Sequence, residues 1–377
     1  MTDTVTVMAR HPAARRPATL ASLAAELKVS RTTVSNAYNR PDQLSPALRE
    51  RVLAEAKRLG YPGPDPVARS LRTRKAGAVG LLLSEALTYA FRDPAAVQFL
   101  AGLSEACEDA GQGLLLVPAH PGRDEAQVST AVHAAGVDGF VVYSVAGDDP
   151  HLQAVLDRPV PTVLCDQPRD VLGVDRVGVD DRAAMRELTE HLLALGHRRI
   201  GVLCMRLSRQ RHDGLVSGER WRAASFHVQR ERLAGVADAL AGVGVSLDSL
   251  PVVERFDHLV AAGRSAAAEA LDAEPGLTAL VCTTDVLALG ALVEARARHL
   301  EVPGRLSVTG FDGVPEGLRA GLTTVRQPVE DKGREAGRLL VTRPQEMKPR
   351  TTVLPTELVV GATSGPAAEV QAWFSGL

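Results

Sequence analysis

Three short segments near the N-terminus carry apolar residues at the three- and four-residue spacing of amphipathic helices. The first segment follows Thr19, the second follows Ser30 and the third follows Ser45, and each of these hydroxyl residues is a favoured helix N-cap. Proline occupies the first position after Ser45, and Gly60 stands where the third helix should end. Three short helices in such close succession predict a compact helix-turn-helix unit over residues 18–62.

Beyond Gly77 the pattern changes to short apolar runs that alternate with amphipathic stretches. GLLL at 80–83 and GFVVY at 139–143 are strand-like, and a second series begins at 199–204 and ends at 306–311. Alternating strands and helices predict parallel sheets with helices on both faces, which is an α/β fold. Ligands bind such sheets beyond the carboxyl ends of the strands. Polar residues directly after the strands are therefore candidate ligand contacts.

Composition sets limits on the class of protein. The 377 residues are too many for one ordinary core and indicate two or three folded units. No apolar run reaches the roughly 18 residues of a membrane span, and the first residues lack the apolar segment of a secretory signal. The four cysteines are scattered, which indicates neither a zinc site nor a disulfide framework. We expect a cytoplasmic protein without metal or cofactor and with no membrane contact.

The charge is distributed unevenly along the chain. Residues 1–75 hold 14 Lys and Arg against 6 Asp and Glu, a net charge of +8, whereas the rest holds 29 against 39, a net charge of −10. A basic N-terminal unit on an acidic body indicates that this unit meets a polyanion. A solvated basic tail is the alternative, and residues 1–17, which lack any periodicity, are expected to be disordered.

Residues 19–82 resemble the start of lactose-repressor family proteins. The resemblance rests on VSRTTVSNAYN at 29–39 and LGY at 59–61, and it continues through VDGFVV at 137–142 and SVTGFDG at 307–313. It implies a transcriptional regulator, expected to be a repressor, that binds a pseudo-palindromic operator in double-stranded DNA as a homodimer. It also implies control by a small-molecule effector, expected to be a sugar or sugar derivative.

In this family the second helix enters the major groove, which assigns base reading to Arg31, Thr32 and Asn36. The alternative for Arg31 and Asn36 is plain solvation. The other residues of the helical unit that we expect at DNA, mostly as phosphate contacts, are Thr19, Ser30, Thr33, Ser35 and Asn39. Lys28 departs from the family, which usually has glycine in this turn, and we expect a modest loss of stability there.

The connector at 63–76 resembles the family's hinge helix, which forms on DNA. Leu71 matches the leucine that wedges into the central base step, and Arg69 and Arg72 are expected at phosphates. A buried linker residue is the alternative for Leu71.

The remaining residues, 77–377, resemble a periplasmic-binding-protein-like sensor with two subdomains. We place the first subdomain at about 77–177 plus 327–351 and the second at about 178–326 plus 352–377. The effector is expected in the cleft between them, and the candidate contacts are Asp166, Arg232, His258, Thr284, Asp312 and Trp221.

Each candidate effector contact has a structural alternative. Arg232 and Asp312 could form an interdomain salt bridge, and Asp166 could be a cap or turn residue. Thr284 replaces an asparagine that is common in the family, and Trp221 belongs to a long connection at 205–231 and could simply pack. The match of His258 to an aromatic position of the family is loose.

The sequence argues against two other classes of protein. The sequence lacks the phosphate-binding, dinucleotide-binding, zinc-protease and serine-hydrolase motifs that would indicate an enzyme. A transport solute-binding protein would suit residues 77–377, but the missing signal peptide and the basic N-terminal unit argue against it.

Overall fold

The computed structural model describes residues 18–64, 73, 75–83, 85–119, 124–342 and 348–367. The chain forms two compact units, Met1–Ala76 and Gly77–Leu377. The segment predicted to be disordered, 1–17, and the predicted hinge contacts Arg69, Leu71 and Arg72 lie outside the described residues.

The first unit contains three helices, α1 (Leu20–Leu27), α2 (Arg31–Asn39) and α3 (Pro46–Leu59). The predicted caps are confirmed: the side chains of Thr19, Ser30 and Ser45 each accept a hydrogen bond from a backbone N–H in the first turn of their helix. The buried core of this unit consists of Leu23, Ala24, Val34, Ala37, Val52 and Ala56. Its small size explains why the caps matter, because little apolar area is available to hold the helices together.

Lys28 occupies the turn between α1 and α2 with φ of 54° and ψ of 41°, a left-handed conformation. Glycine adopts this conformation without steric cost, whereas a side chain adds strain. The expected strain at this departure from the family pattern is therefore present.

The second unit contains two sheets. Its elements are β1 (Ala78–Leu83), α4 (Leu87–Ala90), α5 (Pro94–Asp109), β2 (Gly113–Pro118), α6 (Glu125–Ala134), β3 (Gly139–Tyr143), α7 (Pro150–Leu156), β4 (Thr162–Cys165), β5 (Asp175–Gly178), α8 (Asp181–Ala194), β6 (Ile200–Met205), β7 (Gly214–Leu215), α9 (Gly218–Arg222), α10 (His227–Ala241), β8 (Val252–Arg255), α11 (Val260–Ala273), β9 (Ala279–Cys282), α12 (Asp285–Ala297), β10 (Ser307–Asp312), α13 (Pro315–Arg319), β11 (Thr323–Arg326), α14 (Val329–Val341), β12 (Thr351–Val353) and β13 (Glu357–Val359).

The first sheet has the strand order β12-β5-β4-β3-β1-β2 and the second β13-β11-β10-β9-β6-β8-β7. The described pairs are parallel except β11 with β13 and β7 with β8. The predicted fold class, α/β with a small helical N-terminal unit, is confirmed. Among the described residues, no helix combines the length and apolar character needed to cross a membrane.

The chain passes between the two sheets three times. It leaves the first sheet after Gly178, returns through α14 after Arg326, and leaves again after β12. Because β12 pairs with β5 through Val353, the last passage lies two residues beyond the expected boundary at 351. Helix α14 packs against α5 so closely that a Cβ atom at Gly102 would lie 1.9 Å from the carbonyl oxygen of Glu330.

Candidate functional site

A cleft lies between the carboxyl ends of the strands of the two sheets. It holds about 820 Å³ of empty space, counting the part open to solvent. The polar residues that line it are Glu85, Tyr89, Asp93, Tyr143, Ser144, Asp166, Gln167, Arg206, Gln229, Arg232, His258, Thr284, Asp312 and Gln327. Five of the six predicted effector contacts are therefore brought together in one cleft.

Arg232 is the centre of a buried ion-pair network. Its side chain, 5% exposed, donates from Nε to Asp181 Oδ1 at 2.9 Å and from Nη1 to the carbonyl oxygen of Thr283 at 2.6 Å. Asp312 Oδ1 lies 3.5 Å from Nη1, and the guanidinium stacks on the Phe311 ring at 3.6 Å from its centroid. All of these partners belong to the subdomain of the second sheet, so the ion pair lies within one subdomain. It does not bridge the two, as the structural alternative supposed.

Asp166 is neutralised by a lysine that the sequence did not single out. Lys332 on α14 is 1% exposed and places Nζ 2.8 Å from both Asp166 oxygens, and it donates to Gln327 Oε1 at 2.7 Å. Gln327 in turn donates from Nε2 to Asp312 Oδ1 at 2.6 Å. A continuous polar chain therefore runs from Asp166 to Arg232 along the floor of the cleft.

The other end of the cleft is crossed by a hydrogen bond between Tyr89 on α4 and His258 after β8. Tyr89 Oη lies 2.5 Å from His258 Nδ1, and His258 Nε2 lies 2.8 Å from Thr284 Oγ1. Thr284 also caps α12 by accepting from the N–H of Leu287. Burial lowers the pKa of His258 to about 4, so its imidazole is neutral at pH 7.

Asp93 contributes a carboxylate oxygen that has no partner. Its Oδ2 accepts from the N–H of Ala96 at 3.3 Å and caps α5, whereas Oδ1 is buried without a hydrogen bond and lies 3.9 Å from His258 Nδ1. Burial raises the pKa of Asp93 to about 6. Burial also raises the pKa of Asp312 to about 6 against the opposing effect of Arg232. A ligand hydroxyl that donates a hydrogen bond to either carboxylate would therefore stabilise its charged form.

Arg206 and Glu85 form a second link across the cleft. The Arg206 side chain is 6% exposed and pairs through Nη2 with Glu85 Oε1. Its guanidinium lies over the rings of Phe226 and Phe256, at 5.0 and 5.3 Å from their centroids. Flat aromatic and planar cationic groups at one wall suit the apolar face of a ring-shaped ligand.

Trp221 does not line the cleft, which corrects the expectation that it contacts the effector. It lies on α9, 6% exposed, within the apolar core around α8 and α10, and its Nε1 donates to Asp248 Oδ1 at 3.2 Å. The long connection instead adds an edge strand, β7, and the helix α9 to the second subdomain. Phe226, near its end, is the residue of this segment whose ring reaches the cleft.

In the helical unit, Arg31 and Thr32 are exposed at the start of α2. Asn36 donates from Nδ2 to Gln43 Oε1 at 3.1 Å, so its side chain must give up this hydrogen bond before it can contact a base. The remaining predicted DNA contacts make local bonds: Thr19 and Ser30 cap helices, Thr33 Oγ1 lies 2.8 Å from Ser30 Oγ, and Asn39 Nδ2 donates to Ser35.

Side chains of the types that bind metal ions do not cluster in the part of the chain that the structure describes. No group of three His, Cys, Asp or Glu side chains there could hold a metal ion. The four cysteines, Cys107, Cys165, Cys204 and Cys282, are free and buried. Burial raises the pKa of Cys165, Cys204 and Cys282, which disfavours their reactive thiolate form.

Comparison with known proteins gives consistent matches. The periplasmic binding protein-like domain family matches residues 189–364. A helix-turn-helix (HTH)-type transcriptional regulator of Mycobacterium tuberculosis is 62% identical, covering 95% of this chain and 99% of its own. A LacI-family regulator structure from Corynebacterium glutamicum is 40% identical with a TM-score of 0.72, covering 91% of this chain and 98% of that chain. A complex of the transcriptional regulator CelR with cellobiose is 30% identical with a TM-score of 0.67, covering 92% and 99%.

Proposed function

Since the chain belongs to the LacI family of HTH-type transcriptional regulators, we propose that it is a cytoplasmic repressor that binds a pseudo-palindromic DNA operator as a homodimer. One three-helix unit offers few base contacts, and two units related by a two-fold axis double them. In this proposal α2 lies in the major groove, with Arg31 and Thr32 at base edges. The hinge at 63–76 places Leu71 in the minor groove, with Arg69 and Arg72 at phosphates.

The effector proposed for the cleft is a small polyhydroxylated molecule, a sugar or sugar derivative. The observation that carries this proposal is the polar chain Asp166–Lys332–Gln327–Asp312–Arg232 at the ends of the strands. Carboxylates accept from ring hydroxyls and guanidinium groups donate to them, so neighbouring hydroxyls satisfy such a floor. The similarity to a regulator bound to cellobiose supports the same class of ligand.

Switching in this proposal follows from closure of the cleft. An effector acts through its different affinity for the open and closed arrangements of the two subdomains, without touching DNA. Closure changes the distance between the two subunits' chains at Gly77, and this distance decides whether the preceding hinge at 63–76 can fold. DNA must then alter effector affinity by the same factor as the effector alters DNA affinity.

A comparison of the full chain with a truncation that contains residues 77–377 tests this function. Melting temperatures measured with panels of sugars, phosphosugars and nucleosides identify the effector, because a ligand of the folded state raises the melting temperature. We expect both proteins to bind the same polyol, and only the full chain to bind an operator selected from random DNA. Operator binding by the truncation, or the absence of a response to every sugar and sugar derivative in the panels, would contradict the proposal.

A further inference from the structure

The outer part of the first sheet carries a second pocket, on the face turned away from α14. The strands β4, β5 and β12 are neighbours, and their register aligns Leu164, Arg176 and Thr351 in one row. Val177, the next residue of β5, packs into the apolar core with Leu339 of α14 on the opposite face. The pocket on the Arg176 face holds about 480 Å³, counting its open part.

Arg176 is the unusual group in this pocket. Its Nε and Nη2 are both buried and have no hydrogen-bond partner. These two nitrogens form one edge of the planar guanidinium, the edge that donates two parallel hydrogen bonds to a carboxylate or a phosphate. Buried donors of a charged group without acceptors are costly. A bound oxyanion would remove that cost.

The surroundings of Arg176 favour an anion over a neutral ligand. Arg169 also lines the pocket, and its guanidinium is held there by donation from Nη2 to the carbonyl oxygen of Val179 at 2.6 Å. Asp166 is the carboxylate at the pocket, but both of its oxygens are occupied by Lys332. Thr351, the register neighbour of Arg176, brings a hydroxyl group to the same wall.

We propose that this pocket binds a phosphate group, either inorganic phosphate or the phosphate of a small metabolite, on the free edge of Arg176 with Arg169 as the second cation. The pocket adjoins the effector cleft, because Asp166 lines both, but its other lining residues are different and its ligand is independent of the effector's identity. It lies where β5 and β12 end and the chain passes to the second subdomain at Gly178 and Val353. A bound phosphate therefore holds together two of the three connections between the subdomains.

Isothermal titration calorimetry on the full chain tests the site, with chloride adjusted to keep ionic strength constant. Inorganic phosphate and glucose 6-phosphate are the two probes, and glucose is the uncharged reference. Saturable binding of inorganic phosphate indicates a free-ion site, whereas binding of glucose 6-phosphate alone indicates a phosphate ester. Either result supports the proposal, and failure of both probes to bind overturns it.

Four variants locate the binding. Arg176→Gln should weaken the phosphate probe at least roughly tenfold, because two charge-assisted hydrogen bonds are lost. Arg176→Lys should give a phosphate affinity between those of the wild type and Arg176→Gln, since lysine keeps the charge but cannot donate two parallel hydrogen bonds. Arg169→Gln tests the second cation at a side chain that is 41% exposed, and its melting temperature is compared with that of the wild type because the change also removes the pairing of Arg169 with Val179 and Asp181. Arg186→Gln is the charge-matched control, because Arg186 is exposed and its ion pair with Glu190 is long, at 3.8 Å.

The outcomes for these variants are distinct. Unchanged phosphate affinity in both Arg176→Gln and Arg169→Gln would overturn the assignment to this pocket. Equal weakening by Arg186→Gln would also overturn it, because general charge screening would then explain the binding.

Discussion

Tyr89 Oη and His258 Nδ1 lie 2.5 Å apart across the cleft, so one hydrogen bond joins the two subdomains directly. His258 is buried, and its other nitrogen is hydrogen-bonded to Thr284. If the cleft opens and Tyr89 moves away, Nδ1 loses its hydrogen-bond partner and must be hydrated instead. The Tyr89–His258 hydrogen bond therefore stabilises the closed arrangement.

Tyr89→Phe should weaken this closure. Loss of one partner of a buried hydrogen bond costs about 1–3 kcal/mol, and effector affinity should fall roughly tenfold because only the closed arrangement surrounds the ligand. Calorimetric titration with the identified effector measures the change. Tyr38→Phe, in the helical unit, is the control, and identical effector affinity in Tyr89→Phe would show that the hydrogen bond does not stabilise closure.

Asp93→Asn should change the pH dependence of stability. Burial raises the pKa of Asp93 from 3.8 to about 6, so its ionisation destabilises the wild-type fold as the pH rises from 4 through 6. Asparagine keeps the helix cap but has no charge to bury. Urea unfolding at pH 4 should give the two proteins similar stability, and at pH 7 the variant should be more stable by up to roughly 3 kcal/mol. A constant difference across this range would refute the buried carboxylate.

Lys332→Met should destabilise the protein strongly, because it leaves Asp166 buried and unpaired. The expected loss is about 3–5 kcal/mol. The double variant with Asp166→Asn removes both charges and should recover most of the loss. Denaturant titrations of the four proteins give the coupling energy, and simple additivity of the two single changes would mean that the pair is not coupled.

Arg31→Ala should relax sequence preference at one symmetric position in each half-site and cost about 1–3 kcal/mol of operator affinity. Arg58→Ala is the control, because Arg58 lies on α3 and its Nε donates to Glu55 at 2.9 Å, away from the proposed base contacts. Binding to a randomised operator library distinguishes base reading from general attraction. A uniform loss across all sequences would assign Arg31 to phosphates.

Leu71→Ala tests the proposed hinge, because the wedge exists only in the folded-hinge complex with DNA. Operator affinity and the DNA bend should both decrease, whereas effector binding to the free protein should stay unchanged. Fluorescence energy transfer across a labelled operator reports the bend. If wild type and variant bend DNA equally and bind it equally, Leu71 has no hinge role.

The sequence allowed much of the fold to be predicted because its signals are local. Helix caps such as Ser30 and Ser45 mark where a helix begins, and apolar runs mark buried strands. The resemblance to the lactose-repressor family, together with the rule that ligands bind beyond the carboxyl ends of parallel strands, pointed to Asp166 and Asp312, and both residues line the cleft. The same rule applied to Arg206, directly after β6, would have found that residue as well.

The remaining cleft residues lack such a local signal. Lys332 lies on α14 near exposed Glu330 and Asp331 and half-buried Arg334, and nothing in that run distinguishes the buried charge from its neighbours. Its burial depends on α14 packing over the first sheet, which is a long-range contact. The placement of Trp221 depends in the same way on how α9 docks against α8 and α10.

The late position of α14 and β12 in the chain has a consequence for synthesis on the ribosome. The first sheet is started at Ala78 but lacks its last strand and its covering helix until Val353 has been made. Helix α5 exposes Gly102 and the apolar side chains around it throughout that time. The helical unit, by contrast, is complete once Gly60 emerges, because its core comes from one continuous segment. A nascent chain thus carries a finished helical unit long before its first sheet is complete, and that incomplete sheet is where apolar surface stays exposed longest.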